Sequence, residues 1–188
     1  MSGIRSKNSR IKLLISFLAM ACFFVYANVS AGPKNHQAEV AILADSSLTA
    51  ELVSDINKAQ KSVYIAIYMF KSYASTTSGA GMIVDALKKA ADRGLDVYVA
   101  FESSDDGDFV EKENKNTGKQ LAERGVTVVY DSPDNRMHSK CAVIDEHISY
   151  VGSHNYTNSA LKHNREITAR IVSAETAAKV LSHIRSVK

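Results

Sequence analysis

The chain has 188 residues, 45% hydrophobic and 23% charged, with nine Gly and two Pro; that composition excludes extended disorder, collagen-like repeats and low-complexity linkers. Its formal charge of +3 is carried by the N-terminus, because Arg5, Lys7, Arg10 and Lys12 precede residue 32 and no Asp or Glu does. The other 157 residues hold 19 basic against 20 acidic side chains, so the basic balance is no footprint of nucleic acid.

The cationic start runs into the apolar stretch Leu13 to Tyr26 and then Val29-Ser30-Ala31, small residues that suit a signal peptidase cutting before Gly32. Fourteen residues fall short of the about 20 needed to span a bilayer. The expectation is a signal peptide over 1–31, a single domain over 32–188, and export to the periplasm or beyond. The alternatives are an uncleaved anchor over Ile11 to Val29 and a lipid attachment at Cys22, against which the apolar Phe23, Phe24 and Val25 argue. Cleavage leaves Cys141 as the sole cysteine, so stability rests on packing and not on a disulfide. The 157 residues after the cut suffice, since a domain of that size buries about 68–70% of its unfolded surface.

Val40 to Leu43 reads as a first strand, followed by a helix capped by Ser46 or Ser47 that carries Leu48, Leu52, Val53 and Ile56 on one face. Val63 to Phe70 is apolar on both parities, as in a central strand covered on both sides. Lys71 to Gly81, rich in Ser, Thr, Ala and Gly, reads as a loop; a helix through Ile83, Leu87, Ala90 and Ala91 ends near Gly94 and leads to a strand at Val97 to Phe101. A helix around Lys119 to Arg124 precedes the strand Val126 to Tyr130. Lys140 to Ile144 and Ile148 to Val151 flank the hairpin turn Asp145-Glu146-His147. Ile167 to Val172 is the last strand, and a terminal helix presents Ala177, Val180, Leu181 and Ile184 along one side. The succession implies an α/β sandwich: a central mixed sheet flanked by helices.

The chemistry concentrates in His138-Ser139-Lys140, Asp145, Gly152-Ser153-His154-Asn155 and Asn164-Arg165-Glu166. In a strand, residues i and i+2 share a face, which pairs His138 with Lys140, Ser153 with Asn155, and Asn164 with Glu166. If the strands are neighbours, the pairs converge on one patch. An imidazole there attacks phosphorus or protonates a leaving oxygen, Lys140 and Asn155 bind the non-bridging oxygens, and Glu166 fixes a histidine tautomer.

HSKCAVID followed by GSHN resembles the paired signature of the phospholipase D superfamily, an HxKxxxxD element and a GSxN-type element. The span from about Val40 to Ile184 is similar to the short, single-motif bacterial endonuclease branch of that family. The resemblance implies a phospholipase D-like fold and hydrolysis of phosphodiesters through a phosphohistidine on His138, with no metal and no cofactor. It implies that Lys140 and Asn155 bind phosphate, that Ser153 and Asn164 support the site, and that Glu166 orients a histidine. A chain with one motif further implies a homodimer whose two His138 residues share one active site. Asp145 belongs to the motif, but its place in the turn suggests a structural part. Nucleic acid is the expected substrate; phospholipid head groups are the alternative, and a catalytically silent phosphate- or nucleic-acid-binding module is the reading from another class.

Other residues read more plainly. His154 lies between Ser153 and Asn155 and faces the other way; His147, His163 and His183 lack ligand spacing and read as surface residues. Asp105, Asp106 and Asp108 lack the alternation of a calcium loop. Tyr64 and Tyr68 share a face of a buried strand and read as core, with one hydroxyl in reach of the site as the lesser option, and Cys141 as a small buried hydrophobe.

Overall fold

Ser62–Ile67 is buried at all six positions, which requires a strand covered on both faces. The computed structural model describes residues 35, 37–73, 77–104 and 107–187, and places this strand within a seven-stranded sheet. In chain order the elements are β1 (Glu39–Ala44), a 3₁₀ turn (Asp45–Ser47), α1 (Leu48–Lys58), β2 (Ser62–Ile67), α2 (Gly79–Asp92), β3 (Asp96–Phe101), α3 (Phe109–Ala122) and β4 (Thr127–Tyr130). The second half adds β5 (Lys140–Ile144), β6 (Ile148–Gly152), α4 (Asn158–Lys162), β7 (Ile167–Val172) and α5 (Ala174–Ser186). The expected signal segment, 1–31, lies outside the described residues, as do Asp105 and Asp106.

The sheet order is β1-β7-β6-β5-β2-β3-β4. β2, β3 and β4 run parallel, and the remaining pairs are antiparallel. This is the mixed α/β sheet that the sequence implies. Leu52, Ile56, Ile83, Leu87 and Leu121 of α1, α2 and α3 pack on Val63, Ile65 and Ile67. On the opposite face α5, the one helix there among the described residues, lays Ala177, Leu181 and Ile184 against Tyr64, Ala66 and Val143. Each fully buried aliphatic side chain contributes about 1.5–3 kcal/mol.

One helix does not cover seven strands. Val151 stands opposite Cys141 of the α5-side core and, through Ala169, in line with Ile42. Side chains alternate along a strand, so Val40, Ile42, Val151 and Ile167, each between 43% and 61% exposed, form an apolar strip on that face.

Four boundaries differ from the sequence reading. β2 ends at Ile67 and not at Phe70, because the chain leaves the sheet there: Phe70 donates its N–H to Asn114 Oδ1 at 2.9 Å and bridges to Tyr156. α2 starts at Gly79, where Ser78 Oγ caps the Gly81 N–H at 3.1 Å, so the loop after β2 is displaced toward the N-terminus, to 68–78, and not shortened. α3 begins ten residues earlier than its apolar periodicity indicates, since its buried face is polar: Glu111, Asn114 and Thr117 precede Leu121. α4, capped by Thr157, carries too few apolar residues to be read as a helix. Ser47 does precede α1, but its hydroxyl donates to the Ala44 carbonyl oxygen at 2.7 Å and makes no cap.

Candidate active site

The β5–β6 hairpin brings the two halves of the motif together. Asp145 and Glu146 have φ of 52° and 55°, the sign pattern of a type I′ turn. Cys141 then falls opposite Val151, and Gly152 opposite Thr168 of β7. Adjacent strands lie about 4.8 Å apart, so Lys140, Ser153 and Glu166 stand within roughly two strand spacings at one sheet edge. A Cβ on Gly152 would sit 2.2 Å from Thr168 Oγ1 and 2.4 Å from the Ile167 carbonyl oxygen. Glycine is therefore what lets β7 approach and bring Glu166 to Ser153.

His138 lies in the segment entering β5, with its ring centroid 4.5 Å from that of Tyr68. Lys140 Nζ stands 4.7 Å from the centroid of the same tyrosine and donates to the His138 carbonyl oxygen at 2.7 Å. Tyr68 thus carries both motif residues, and its own N–H, donated to the Ser139 carbonyl oxygen at 2.9 Å, ties it to them. Desolvation of the ring, followed by the charges of Lys140 and Arg136, holds the His138 pKa below the ordinary histidine value. Burial also lowers Lys140, against the opposing carboxylates of Glu166 and Glu102. The result is an imidazole neutral at neutral pH, and so nucleophilic, next to an ammonium.

The Glu166 carboxylate accepts the Ser153 hydroxyl and, at 3.1 Å, the Asn164 amide. The Ile167 N–H donates to Ser153 Oγ at 3.1 Å, and the Glu166 N–H to Asp45 Oδ1 at 3.0 Å. Ser153, Asn164 and Glu166 therefore form one hydrogen-bonded unit. Within the chain, however, Glu166 makes no hydrogen bond to a histidine among the described residues; its bonds to Ser153 and Asn164 occupy it. Asn155 is part-buried, and its Oδ1 is buried with no hydrogen-bond partner among the described residues.

Two residues of the motif segment lie away from this edge. His154 faces the opposite side, 1% exposed, with Nδ1 2.7 Å from Thr168 Oγ1 and Nε2 2.8 Å from the Asp45 carbonyl oxygen. Asp145 closes the far end of β5, roughly 16 Å along the strand from Lys140, and is no neighbour of the other motif groups. Its carboxylate accepts the N–H groups of Gln60, Lys61 and Ser62 at 2.9, 2.8 and 3.0 Å. Burial alone would raise its pKa, but these three donors outweigh it and hold the group below the usual carboxylate range.

The family described as cardiolipin synthase, PLD-like domain, matches residues 52–188. The chain belongs to the phospholipase D superfamily. The cardiolipin synthase of Listeria monocytogenes serotype 4a (strain HCC23) is 30% identical over 126 residues, which are 66% of this chain and 24% of that protein. For the cardiolipin synthase of Staphylococcus aureus (strain Mu50 / ATCC 700699) the identity is 32% over 127 residues, with the same coverage. The chain spans about a quarter of the length of the curated relatives it matches. Among solved structures, Nuc from Salmonella typhimurium, a phospholipase D family member, superposes with a TM-score of 0.65 at 22% identity, over 79% of this chain and 93% of Nuc. NucT from Helicobacter pylori gives 0.60 at 21% identity, over 80% and 96%. At such identities the likeness is one of fold.

The phospholipase D motif leaves out three residues that the structure brings to this edge. Tyr68 is not core but the surface on which His138 and Lys140 rest; strand parity groups it with Tyr64 and does not reveal that β2 has already ended. Glu102, 4% exposed, directly follows β3 and accepts the Met137 N–H at 2.6 Å, which anchors the residue preceding His138. Burial pushes Glu102 up, and the Met137 N–H and Arg136 oppose that. A glutamate at the carboxyl end of a parallel strand, where α/β sheets bind ligands, is its one legible signal. His183 of α5 is held by the motif itself, with Nε2 2.7 Å from Ser139 Oγ. With His138, Val151 and Val180 it lines a groove of about 370 Å³. Cys141 at its floor is buried and its thiol pushed up to about 11, which makes it a packing residue and no nucleophile.

Proposed function

We propose that the protein is a phosphodiesterase that cleaves nucleic acid through a phosphohistidine on His138. The observation that carries this reading is the shared Tyr68 surface, which places an imidazole held neutral beside the Lys140 ammonium. A ring nitrogen forms the bond to phosphorus, the P–O bond to the leaving group breaks, and the leaving oxygen takes a proton from an acid. Water then attacks the phosphohistidine, giving its proton to the deprotonated acid, and the P–N bond breaks to return the imidazole. Lys140 through its ammonium and Asn155 through its amide N–H groups donate to the non-bridging oxygens.

The acid is a second His138, supplied by another copy of the chain. The apolar strip of Val40, Ile42, Val151 and Ile167 beside the site supports such pairing, because exposed apolar patches mark interaction surfaces. The N-terminal leader supports export to the periplasm or beyond. The similarity to proteins described as cardiolipin synthases favours a second reading, in which the same site acts on phospholipid head groups.

Purified exported protein, assayed on single-stranded DNA, duplex DNA, RNA and phosphatidylcholine vesicles with and without EDTA, separates these readings. The nuclease reading expects fragmented nucleic acid at substoichiometric enzyme, insensitive to EDTA. Head-group release with intact nucleic acid overturns it in favour of the lipid, and binding without turnover overturns both. Mixing wild-type and His138→Ala chains under subunit exchange tests the shared site: activity falls as the square of the wild-type fraction, whereas independent sites give a straight line.

A further inference from the structure

Two large aromatic side chains stand exposed beyond β2 and β3, Tyr73 at 60% in the loop after β2 and Phe109 at 57% at the first position of α3. Those segments follow the carboxyl ends of neighbouring parallel strands, the ends from which Tyr68 reaches His138 and Glu102 accepts the Met137 N–H. The two rings share one ammonium: Lys71 Nζ lies 4.3 Å from the Phe109 centroid and 5.0 Å from that of Tyr73. Glu113 holds the same ammonium at 3.1 Å. The hydrogen bond to Tyr73 favours the charged lysine, partial burial opposes it, and Glu113 favours it again.

The backbone beneath this cluster is fixed. Lys71 donates its N–H to the Tyr156 carbonyl oxygen at 2.9 Å. Thr117 Oγ1 donates to the Phe70 carbonyl oxygen at 2.7 Å and accepts the Ser72 N–H at 3.3 Å. Phe109 opens α3, whose first turn is capped by Asp108 Oδ1 accepting the Glu111 N–H at 2.8 Å. Tyr156 follows Asn155, so the cluster starts one residue from the phosphate-binding amide, and Tyr73 lies within about 7 Å of Lys71 along the chain.

Neither ring packs in the core, and single exposed apolar residues are ordinary. A pair pinned around one cation at the rim of a phosphodiester site is a different matter. Aromatic faces near a cation offer a stacking surface for nucleobases, which is tolerant of sequence but requires bases that are not already stacked in a duplex. Aromatic residues and lysine also occur together at membrane interfaces. Yet loops 71–78 and 102–108 contain no Leu, Ile or Val, and Glu113, Glu111 and Asp108 lie close to the rings in the chain. That inventory provides no aliphatic wedge for lipid.

We infer that Tyr73 and Phe109 form a base-stacking platform that admits single-stranded nucleic acid to the His138 site, an inference that rests on the nuclease reading. Binding of labelled oligo(dT), and of the same label on a blunt duplex, is measured on the full chain carrying His138→Ala to prevent turnover. Adding Tyr73→Ala or Phe109→Ala weakens the single strand by roughly 5- to 100-fold per ring, the range that base–aromatic stacking supplies, and weakens the duplex far less. The chain has no tryptophan, so Tyr73→Trp introduces a lone emission reporter; it restores the affinity lost in Tyr73→Ala and is quenched by oligo(dT). Equal losses on single strand and duplex, unchanged single-strand affinity, or an unquenched tryptophan overturn the platform. Loss confined to phosphatidylglycerol vesicles overturns it in favour of a membrane contact. If the otherwise wild-type chain cleaves nucleic acid and the ring variants cleave single strands with undiminished kcat/KM, the platform alone falls; if the wild-type chain cleaves lipid and no nucleic acid, the nuclease reading falls with it.

Discussion

Lys140 and Asp145 belong to one motif and close the two ends of one strand, yet their surroundings are opposite. At the turn end, the Asp145 carboxylate takes three successive backbone N–H groups and locks the start of β2 beside the hairpin. At the other end, Lys140 has one hydrogen bond, to a backbone carbonyl oxygen, and Asn155 Oδ1 has none among the described residues. Buried polar groups in folded proteins are satisfied as a rule. A saturated motif residue therefore holds the fold, whereas the Lys140 ammonium has donors without a partner among the described residues. The motif is a sum of two functions that share a strand because the register between its ends is rigid.

The comparison is broken most severely at His138. His138→Ala is expected to lower turnover by roughly 10⁴-fold or more, while the thermal midpoint stays within about 2 °C, because the ring is at the rim and not in the core. A large loss of stability would place His138 on the structural side. Lys140→Ala and Asn155→Ala come next, each costing about 10²–10³ in turnover, read in single-turnover assays against a fold checked by circular dichroism.

Asp145→Ala inverts the pattern. Removing the acceptor of three N–H groups costs on the order of 2–4 kcal/mol and lowers the midpoint by roughly 5–15 °C, with turnover of the folded fraction retained. Because folding lowers the Asp145 pKa, the stability it contributes is fully present above its unfolded value and is lost as pH falls through the folded one. The gap in midpoint between wild type and Asp145→Asn accordingly closes as acid is added from about pH 5 downward. A gap that widens in acid contradicts the assignment.

The smallest effect sharpens the site end. Lys140 and, after it, Arg136 depress His138 beyond what desolvation does. Arg136→Gln therefore moves the acid limb of kcat/KM to higher pH with little change on the plateau, and the residual activity of Lys140→Ala moves the same way and farther. A shift to lower pH in either variant would remove Lys140 and Arg136 as the causes.

Much of the fold and half of the site are legible in the residues alone. Val63 to Ile67 is so uniformly apolar that only a central strand accommodates it, and the hairpin around Asp145 follows from two β-rich runs flanking a polar turn. Strand parity separates His154 from Ser153 and Asn155, and His154 is buried on the other side. α3 is largely hidden for a physical reason. Its inner face serves the chain where β2 leaves the sheet: Asn114 Nδ2 donates to the carbonyl oxygens of Tyr68 and Glu102 at 2.9 Å each. A helix recruited to satisfy backbone groups buries polar residues, so hydrophobic periodicity does not register it.

Local pattern is enough to set the strands, every helix but α4, the mixed sheet and the motif residues, because periodicities and turn chemistry act between near neighbours in the chain. Long-range packing establishes the rest: that Tyr68 supports His138 and Lys140, and that Glu102 anchors the residue before His138. It likewise fixes which backbone N–H groups Asp145 receives at the turn. Each of these depends on where a strand ends and which distant backbone groups are left unpaired there. Contacts between segments dozens of residues apart settle that, and no periodicity within either segment encodes its partner.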